Sequence, residues 1–276
     1  MHHPWNFRFA VAVFCGAIWA GIAGPAAAQT PANSAASSAD AVNAANNPLT
    51  PKITINLQDY FTPELNRESG TANQGLLRGV LPMDPFGLPQ LLRVTLPVVT
   101  NPTPAGHASG LGDFSIYDLF ILPIKGVTVS LGPALTAPSA TSPYTGAGKW
   151  QAGAAVFVVD MHPSGLTAGL LTYQHSFAGE TSRPMVSTLT AQPLLTYNLP
   201  GAFYLRSTGI WAFEMGGGRH TSVIPVGFGM GKIWTAGRLT FNLFAEPQYS
   251  VVHSGVGVPV WQVFAGFNLQ IALRGA

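Results

Sequence analysis

The sequence predicts an all-β protein: a transmembrane, antiparallel, up-and-down β-barrel of about 12 strands. From residue 51 onward, apolar and polar residues alternate with the period of two that is typical of strands with unlike faces. The alternating runs at 189–199 and 239–251 are about twice as long as an ordinary strand, and they are long enough for a tilted strand to cross a bilayer. The composition agrees, since only 9% of the residues are charged whereas Gly (31) and Pro (23) are frequent.

The first residues predict a secretory signal peptide over 1–28. An apolar run from Phe9 to Ile22 is followed by small residues that end at Ala28, which is the pattern of a cleavage site near that alanine. The single cysteine of the chain, Cys15, lies inside this segment, so the exported part is predicted to lack disulfides. Residues 29–50 are rich in Ala, Ser and Asn and are predicted to form a disordered leader, because they offer little apolar area to bury.

The barrel is predicted to span 51–271 and to be followed by a C-terminal tail over 272–276. An even number of strands places both chain ends on the periplasmic side, so that short turns lie there and long loops lie outside. The longest predicted outer loops cover 61–72, 101–111 and 137–148. The predicted strands cover 53–60, 73–81, 90–100, 112–124, 126–136, 149–160, 166–177, 186–199, 202–214, 221–231, 238–252 and 258–271.

Aromatic residues stand near the ends of these strands, where the interface between membrane and water favours them. Toward the outer end they are Trp150, Trp211, Tyr249 and Trp261, and toward the inner end they are Tyr197 and Phe203. The apolar strand faces between the two belts are predicted to contact the lipid bilayer of the outer membrane.

The inward faces of the predicted strands carry charged and amide side chains. A barrel of this size encloses a lumen between that of a side-chain-filled eight-stranded barrel and that of a wide porin. We therefore expect a narrow amphipathic passage in which arginine and carboxylate side chains orient a small solute; the alternative is that these charges simply pair across a plugged lumen. The candidate lumen-lining residues are Arg78, Arg93, Asp113, Gln151, Gln174, Gln192, Arg206, Glu214, Asn242, Glu246 and Gln248. The same face carries Leu91, Phe157, Leu194, Tyr204, Ile210, Phe244 and Phe264, and also Asn268 and Gln270.

Asp118 departs from this pattern. Counting from Phe114 and Ile116 places it on the lipid face, where a charge at mid-membrane is costly. We therefore predict a β-bulge between Ile116 and Leu119 that turns Asp118 inward, or else a position near the lipid headgroups.

The sequence predicts no catalytic site, no metal site and no cofactor. The histidines that map to outer loops or outer strand ends are His107, His175, His220 and His253, and their spacing matches no compact metal motif. Two His-Ser pairs, His175-Ser176 and His253-Ser254, raise a hydrolase as an alternative. Neighbouring residues of a strand point to opposite faces, however, so neither pair can supply both nucleophile and base. The 13 Lys and Arg residues are scattered along the chain, which argues against a nucleic-acid partner.

Several segments resemble a family of proteobacterial exported proteins. They are NQGLLRGVLP (73–82), GLPQLLRVTLPVVT (87–100), GLGDFSIYDLFILP (110–123), GKWQAGAA (148–155), TYQHSFAG (172–179), TLTAQPLLTYNLP (188–200) and NLFAEPQYSVVHSG (242–255). This family is often labelled neuromedin U, and it is similar to the outer-membrane proteins named for the meta-pathway of phenol degradation. The resemblance covers the barrel, and it implies an outer-membrane transporter or channel without catalytic residues.

The last strand, 264–271, resembles the C-terminal signal that the outer-membrane assembly machinery reads, which makes that machinery an expected partner. Relatives usually end at an aromatic residue, whereas this chain has Ile271 and then the tail 272–276. The departure leaves the efficiency of assembly open.

The predicted function is an outer-membrane channel or transporter for small molecules, amphipathic or aromatic in character, in a Gram-negative bacterium. Two alternatives stay open. One is a non-transporting structural or surface-interaction barrel, whose outer loops carry the activity, and the other is an outer-membrane hydrolase.

Overall fold

A computed structural model describes residues 32–85, 87–218 and 220–273. The predicted signal peptide over 1–28, the start of the leader over 29–31 and residues 274–276 of the tail lie outside this part of the chain. One helix, α1 (Ala32–Asn46), precedes the first strand. The strands are β1 (Ile53–Leu65), β2 (Ala72–Met83), β3 (Gln90–Thr103), β4 (Gly106–Leu111), β5 (Phe114–Pro123), β6 (Thr128–Ala137), β7 (Lys149–His162), β8 (Gly165–Gly179), β9 (Ser187–Asn198), β10 (Phe203–Ser207), β11 (Trp211–Glu214), β12 (Thr221–Gly227), β13 (Gly229–Ala236), β14 (Leu239–Ser254) and β15 (Pro259–Ile271).

The strands form one antiparallel sheet that closes on itself. β15 pairs with β14 on one side and with β1 on the other, from Ile53 opposite Ile271 to Leu65 opposite Pro259. Three barrel strands are interrupted, so that β4 with β5, β10 with β11 and β12 with β13 each make one strand of the barrel. The result is a closed 12-stranded antiparallel barrel, which confirms the predicted fold class. Closure leaves no unpaired sheet edge.

The two ends of the barrel differ in their connections. The chain enters β1, leaves β15 and makes tight turns at one end, here called the short-turn end, where only residues 163–164 join β7 to β8. At the opposite end, the long-loop end, residues 138–148 join β6 to β7. Much of the predicted outer loop 101–111 is instead a hairpin, because β3 continues to Thr103 and pairs with β4 from Gly106 onward.

The two faces of the barrel wall differ in chemistry, as the alternation predicts. In β14, Glu246 and Gln248 have no exposed surface, whereas Leu243 and Val251 on the other face are 53% and 58% exposed. Exposed apolar side chains continue in a band round the outside of the barrel. They include Ile55, Leu57, Leu77, Val98, Leu131, Val156, Leu171, Leu195, Val226 and Val263. Such a band is what a lipid-facing barrel surface requires.

Aromatic side chains lie near both rims of the barrel. Tyr249 and Trp261 pack against each other toward the long-loop end, with ring centroids 4.9 Å apart. Toward the short-turn end Trp234 stacks on Phe241 at 5.4 Å. Rings at these two levels match the interfacial belts of membrane barrels.

Helix α1 corrects the prediction of a disordered leader, because residues 32–46 are helical. The helix contacts β8, β9 and β14, and its Val42 and Ala45 are only 2% and 5% exposed among lumen side chains such as Phe244. The leader alone has too little apolar area to form a core, but its apolar side chains pack against those of the barrel lumen. Within the described part of the chain no helix is long and apolar enough to span a membrane.

Asp118 stays on the outward face, so the predicted β-bulge between Ile116 and Leu119 is wrong. The pairing of β5 with β3 and with β6 keeps one register on both sides of Asp118, and the adjacent Leu119 is buried among lumen side chains. The irregularity lies earlier, at 112–113, where the pairing with β3 shifts by one residue between β4 and β5. A shift of one residue exchanges the two faces of a strand, and β5 then alternates without interruption.

Candidate solute passage inside the barrel

A cavity of about 140 Å³, the inner cavity, occupies the lumen beside α1. Asn46, Asn47 and Pro48 line it on the short-turn side. The rest of its wall combines amide, arginine and apolar side chains from the strands. Of the predicted inward residues, those that line it are Arg78, Arg93, Gln192, Arg206, Asn242, Leu91, Phe157, Leu194, Ile210, Phe244, Phe264, Asn268 and Gln270.

Aromatic side chains narrow the lumen next to this cavity. Tyr60 stacks on Phe264, with ring centroids 4.2 Å apart and 5° between the ring planes. Phe244 meets Phe264 edge to face at 5.0 Å. The guanidinium carbon of Arg206 lies 3.6 Å from the centroid of Phe244, which is a cation–π contact. We call Tyr60, Arg206, Phe244 and Phe264 the aromatic constriction.

A second space of about 1030 Å³, the outer chamber, extends from the constriction toward the long-loop end. Tyr60 and Ile210 line both spaces, so they form part of the partition between them. Loop residues such as Tyr144, Arg183 and Val256 complete the outer chamber. The inner cavity and the outer chamber therefore follow one another within a single barrel wall.

A buried ion pair supports the constriction. Arg206 Nε donates to Glu246 Oε2 at 2.9 Å, and Glu246 has no exposed surface. The carboxylate also accepts the backbone N–H of Thr208 at 2.7 Å, the hydroxyl of Thr208 at 2.8 Å and the amide of Gln248 at 2.9 Å. Thr208 lies in the gap between β10 and β11, so Glu246 satisfies a backbone donor that the sheet ladder leaves free. The buried carboxylate is thus fully compensated.

Arg78 and Arg93 lie on the neighbouring strands β2 and β3. Arg78 donates from Nε to Thr95 Oγ1 and from Nη1 to Gln58 Oε1, both at 3.1 Å. The guanidinium carbon of Arg93 lies 4.3 Å from the ring centroid of Tyr117. Among the residues that the structure describes, neither arginine has a carboxylate oxygen within 4.0 Å.

Two acidic candidates lie nearer the long-loop end. Asp113 lines neither space; its carboxylate accepts the backbone N–H groups of Ala140 at 3.2 Å and Ala147 at 2.6 Å, and so it holds the loop 138–148 in place. Glu214 lines the outer chamber and accepts the backbone N–H of Ser187 at 2.9 Å. Both carboxylates therefore bind loop or strand-end backbone.

The remaining glutamines bind within the wall. Gln174 Nε2 donates to Thr136 Oγ1 at 2.9 Å, and Gln192 Nε2 donates to the carbonyl oxygen of Thr208 at 3.3 Å. Gln151 is 9% exposed on the inner face. Gln174 and Gln192 therefore already have hydrogen-bond partners inside the protein.

Hydrogen bonds hold α1 in the short-turn end of the lumen. Asn43 Nδ2 donates to the carbonyl oxygen of His162, and its Oδ1 accepts from Asn198 Nδ2, both at 2.8 Å. Gln270 Nε2 donates to the carbonyl oxygen of Ala45 at 3.0 Å. The helix therefore occupies the route by which a solute in the inner cavity would reach the short-turn end.

Gln58, Asn46 and Thr208 are site residues that the sequence did not single out. Gln58 shares the inward face of β1 with Tyr60, so the alternation in that strand was a usable signal for it. Asn46 carries no such signal, because it reaches the lumen only when α1 folds into the barrel. Thr208 falls inside one continuous predicted strand, 202–214, that the structure divides at 208–210.

Among the described residues, the histidines do not gather into a recognisable site. In the described residues no group of three or more His, Cys, Asp or Glu side chains is placed to hold a metal ion. Ser176 Oγ accepts the backbone N–H of Val186 at 3.0 Å, and His253 Nδ1 donates to the carbonyl oxygen of Ser250 at 2.8 Å. Neither bond joins a histidine to the serine beside it, and the absence of enzymatic activity stays a prediction.

A closed antiparallel barrel with an apolar outer band, aromatic rims and a polar, partly filled lumen has the architecture of the outer-membrane barrels. Among solved structures, the chain is similar to the COG4313 outer membrane channel from Pseudomonas putida F1, with a TM-score of 0.60 and 14% identity over 80% of this chain and 96% of that chain. It is also similar to the KdgM porin in complex with disordered oligogalacturonate (TM-score 0.45, 10% identity, 80% of this chain and 99% of that one). A third similar structure is the beta domain of the Bordetella autotransporter BrkA (TM-score 0.42, 14% identity, 80% of this chain and 100% of that one).

The comparisons bear on the fold. No protein-family model matches the sequence, and no curated protein matches it. The likeness to the Pseudomonas channel confirms the barrel. The neuromedin U label and the similarity to the phenol meta-pathway proteins stay predictions.

Proposed function

We propose that this protein is an outer-membrane channel through which small molecules, amphipathic or aromatic in character, pass along the barrel lumen. The observation that carries the proposal is the placement of the inner cavity and the outer chamber one after the other inside a single closed wall, with the aromatic constriction between them. The wall is a continuous hydrogen-bonded sheet, so the width of the lumen at the constriction depends on side chains such as Tyr60 and Phe244. Passage is therefore controlled by side chains and by α1.

The chemistry of the outer face supports a location in the outer membrane. Its apolar band and aromatic rims fit a bilayer with water on both sides, and a signal peptide cleaved near Ala28 accounts for export. In this orientation the short-turn end faces the periplasm, as short turns do in bacterial barrels. Helix α1 then narrows the lumen on the periplasmic side, and the outer chamber opens to the outside of the cell.

Solute flux tests the proposal directly. Purified, folded full-length protein and a variant lacking residues 32–49 are each placed in liposomes, and solute-dependent swelling and single-channel conductance are measured against protein-free liposomes. We expect flux through the full-length barrel and more through the shortened one. No swelling and no conductance in either protein would contradict a channel. A further variant with a shortened loop 138–148 separates the channel from a surface-interaction barrel. A channel keeps its flux in this variant, because solute passes through the lumen, whereas a surface-interaction barrel depends on its outer loops for activity.

The C-terminal strand offers a separate prediction about assembly. Ile271 pairs with Ile53 and Leu239 at the seam where the barrel closes. Replacing Ile271 with Phe and deleting 272–276 is expected to raise the folded fraction in the outer membrane, because it restores the aromatic ending that the assembly machinery reads in similar proteins. The measurement is the heat-modifiable fraction on unboiled gels, with the tail deletion alone as the control. A folded fraction no higher than that of the unaltered chain would contradict this prediction.

A further inference from the structure

The inner cavity carries positive charge without acidic residues in its lining. Arg78, Arg93 and Arg206 line it, and no Asp, Glu, Lys or His is among its lining residues. The charge of Arg206 is neutralised by Glu246, which does not itself line the cavity. Within the described part of the chain, this leaves Arg78 and Arg93 uncompensated.

The two uncompensated arginines are close together. In the ladder between β2 and β3, Arg78 lies opposite Thr95 and Arg93 lies opposite Val80. They are therefore diagonal neighbours on the inward face, at a separation that long side chains can bridge. Two guanidinium groups at such a place repel each other and lose part of their hydration, and a bound anion relieves both effects.

Hydrogen-bond donors without partners also lie on side chains that line this space. The partners of Arg78, Thr95 and Gln58, are neutral, whereas Arg93 Nε is buried without a hydrogen-bond partner. Asn46, which lines the same cavity from α1, has a buried Nδ2 without a partner as well. An acceptor group that draws these side chains toward the cavity would satisfy donors that the protein leaves unpaired.

An apolar wall adjoins the arginines. Leu91 lies two residues before Arg93 on the inward face, and Leu119 lies opposite Leu91 on β5. Both line the inner cavity together with Phe157 and Leu170. The cavity volume of about 140 Å³ is close to the roughly 150 Å³ of an apolar cavity that holds one benzene ring. The space therefore suits a single ring with one anionic group.

We propose that Arg78 and Arg93 form an anion-binding site for the carboxylate group of a small carboxylic acid, whose apolar ring packs against Leu91 and Leu119. The proposal rests on the channel function and names the class of solute that the channel selects. The planar guanidinium fork binds a carboxylate through two parallel hydrogen bonds. The stacking of Arg93 on Tyr117 holds that fork in one orientation.

Benzoate and its uncharged isostere benzamide are the probes. Folded full-length protein in detergent is expected to bind benzoate in a calorimetric titration and to bind benzamide far more weakly. Arg78→Gln and Arg93→Gln are each expected to weaken benzoate binding by on the order of tenfold or more, since each removes hydrogen bonds between charged groups. Arg238→Gln is the matched control, because Arg238 lies at the short-turn end outside the cavity and bonds to Ala272.

Heat-modifiable gel mobility verifies that each variant is folded, and Arg78→Lys, which keeps the charge but loses the fork, is expected to bind benzoate with intermediate affinity. Equal affinity for benzoate and benzamide would overturn the site, as would unaltered benzoate affinity in a folded Arg78→Gln/Arg93→Gln double variant.

Ion selectivity separates this proposal from the channel function. In a KCl gradient across a planar bilayer, the reversal potential of the wild type is expected to show anion preference, which the double variant loses. Conductance without anion preference and without benzoate binding would overturn the anion site and leave the channel. Absence of conductance together with arginine-dependent benzoate binding would overturn the channel and leave the site.

Discussion

Removal of residues 32–49 is expected to raise the conductance of the barrel, because an aqueous passage replaces a helix that fills the short-turn end of the lumen. The deletion removes Val42, Ala45 and Leu49, and with them the buried contacts that they make inside the lumen. The barrel wall keeps its pairing, since β1 begins at Ile53. The measurement is single-channel conductance in planar bilayers, with folding verified by heat-modifiable mobility.

Two substitutions test the same helix without shortening the chain. Asn43→Ala and Asn198→Ala remove side-chain hydrogen bonds that hold α1, and each is expected to give an intermediate conductance. Asn101→Ala is the control, because its amide binds the carbonyl oxygen of Tyr144 in the outer loops. If the shortened chain conducts no better than the full chain, α1 does not restrict passage through the lumen.

Replacement of Glu246 with Ala is expected to lower the free energy of unfolding by about 3–5 kcal/mol, the usual cost of breaking a buried ion pair. The substitution leaves the guanidinium of Arg206 buried without its partner, and it leaves the backbone N–H of Thr208 without an acceptor. The measurement is the urea unfolding curve of the folded barrel, followed by tryptophan fluorescence.

Two further variants make the Glu246 result specific. Glu180→Ala removes an exposed loop carboxylate that binds Ser182, and it is expected to change stability by less than about 0.5 kcal/mol. The Arg206→Met/Glu246→Met double variant is expected to recover much of the loss, because it removes both buried charges together. A loss from Glu246→Ala no larger than that from Glu180→Ala would show that the ion pair does not support the constriction.

The strands could be predicted because the barrel wall separates two solvents. Every second side chain of β14 faces the lumen, so the sequence 239–251 alternates between polar residues such as Gln248 and apolar residues such as Val251. The same rule places Arg78 and Arg93 on the inward face, where both line the inner cavity. The same alternation correctly places Asp118 on the outward face. The prediction of a β-bulge that turns Asp118 inward is wrong.

Features without a local pattern could not be predicted in this way. Helix α1 looks like a polar, flexible leader because most of its residues are Ala, Ser and Asn, and only the lumen supplies apolar partners for Val42 and Ala45. The residues at 208–210 carry no signal strong enough to divide the predicted strand. At this gap the N–H of Thr208 binds Glu246 on β14, a residue far along the chain, so the neighbouring sequence does not reveal the interruption.

The amino-acid pattern is sufficient for the all-β class, for the two unlike faces of each strand and, through the length of those strands, for a barrel suited to a membrane. These properties follow from the two-residue repeat of a β-strand and from the solvent on each side of it, and both are local. Which inward side chains meet is visible only in the folded barrel: Arg206 contacts Glu246, Arg78 contacts Gln58, and α1 packs against the lumen wall. Those contacts depend on strand register, on closure of β15 against β1 and on the return of the leader into the barrel, and no run of neighbouring residues encodes them.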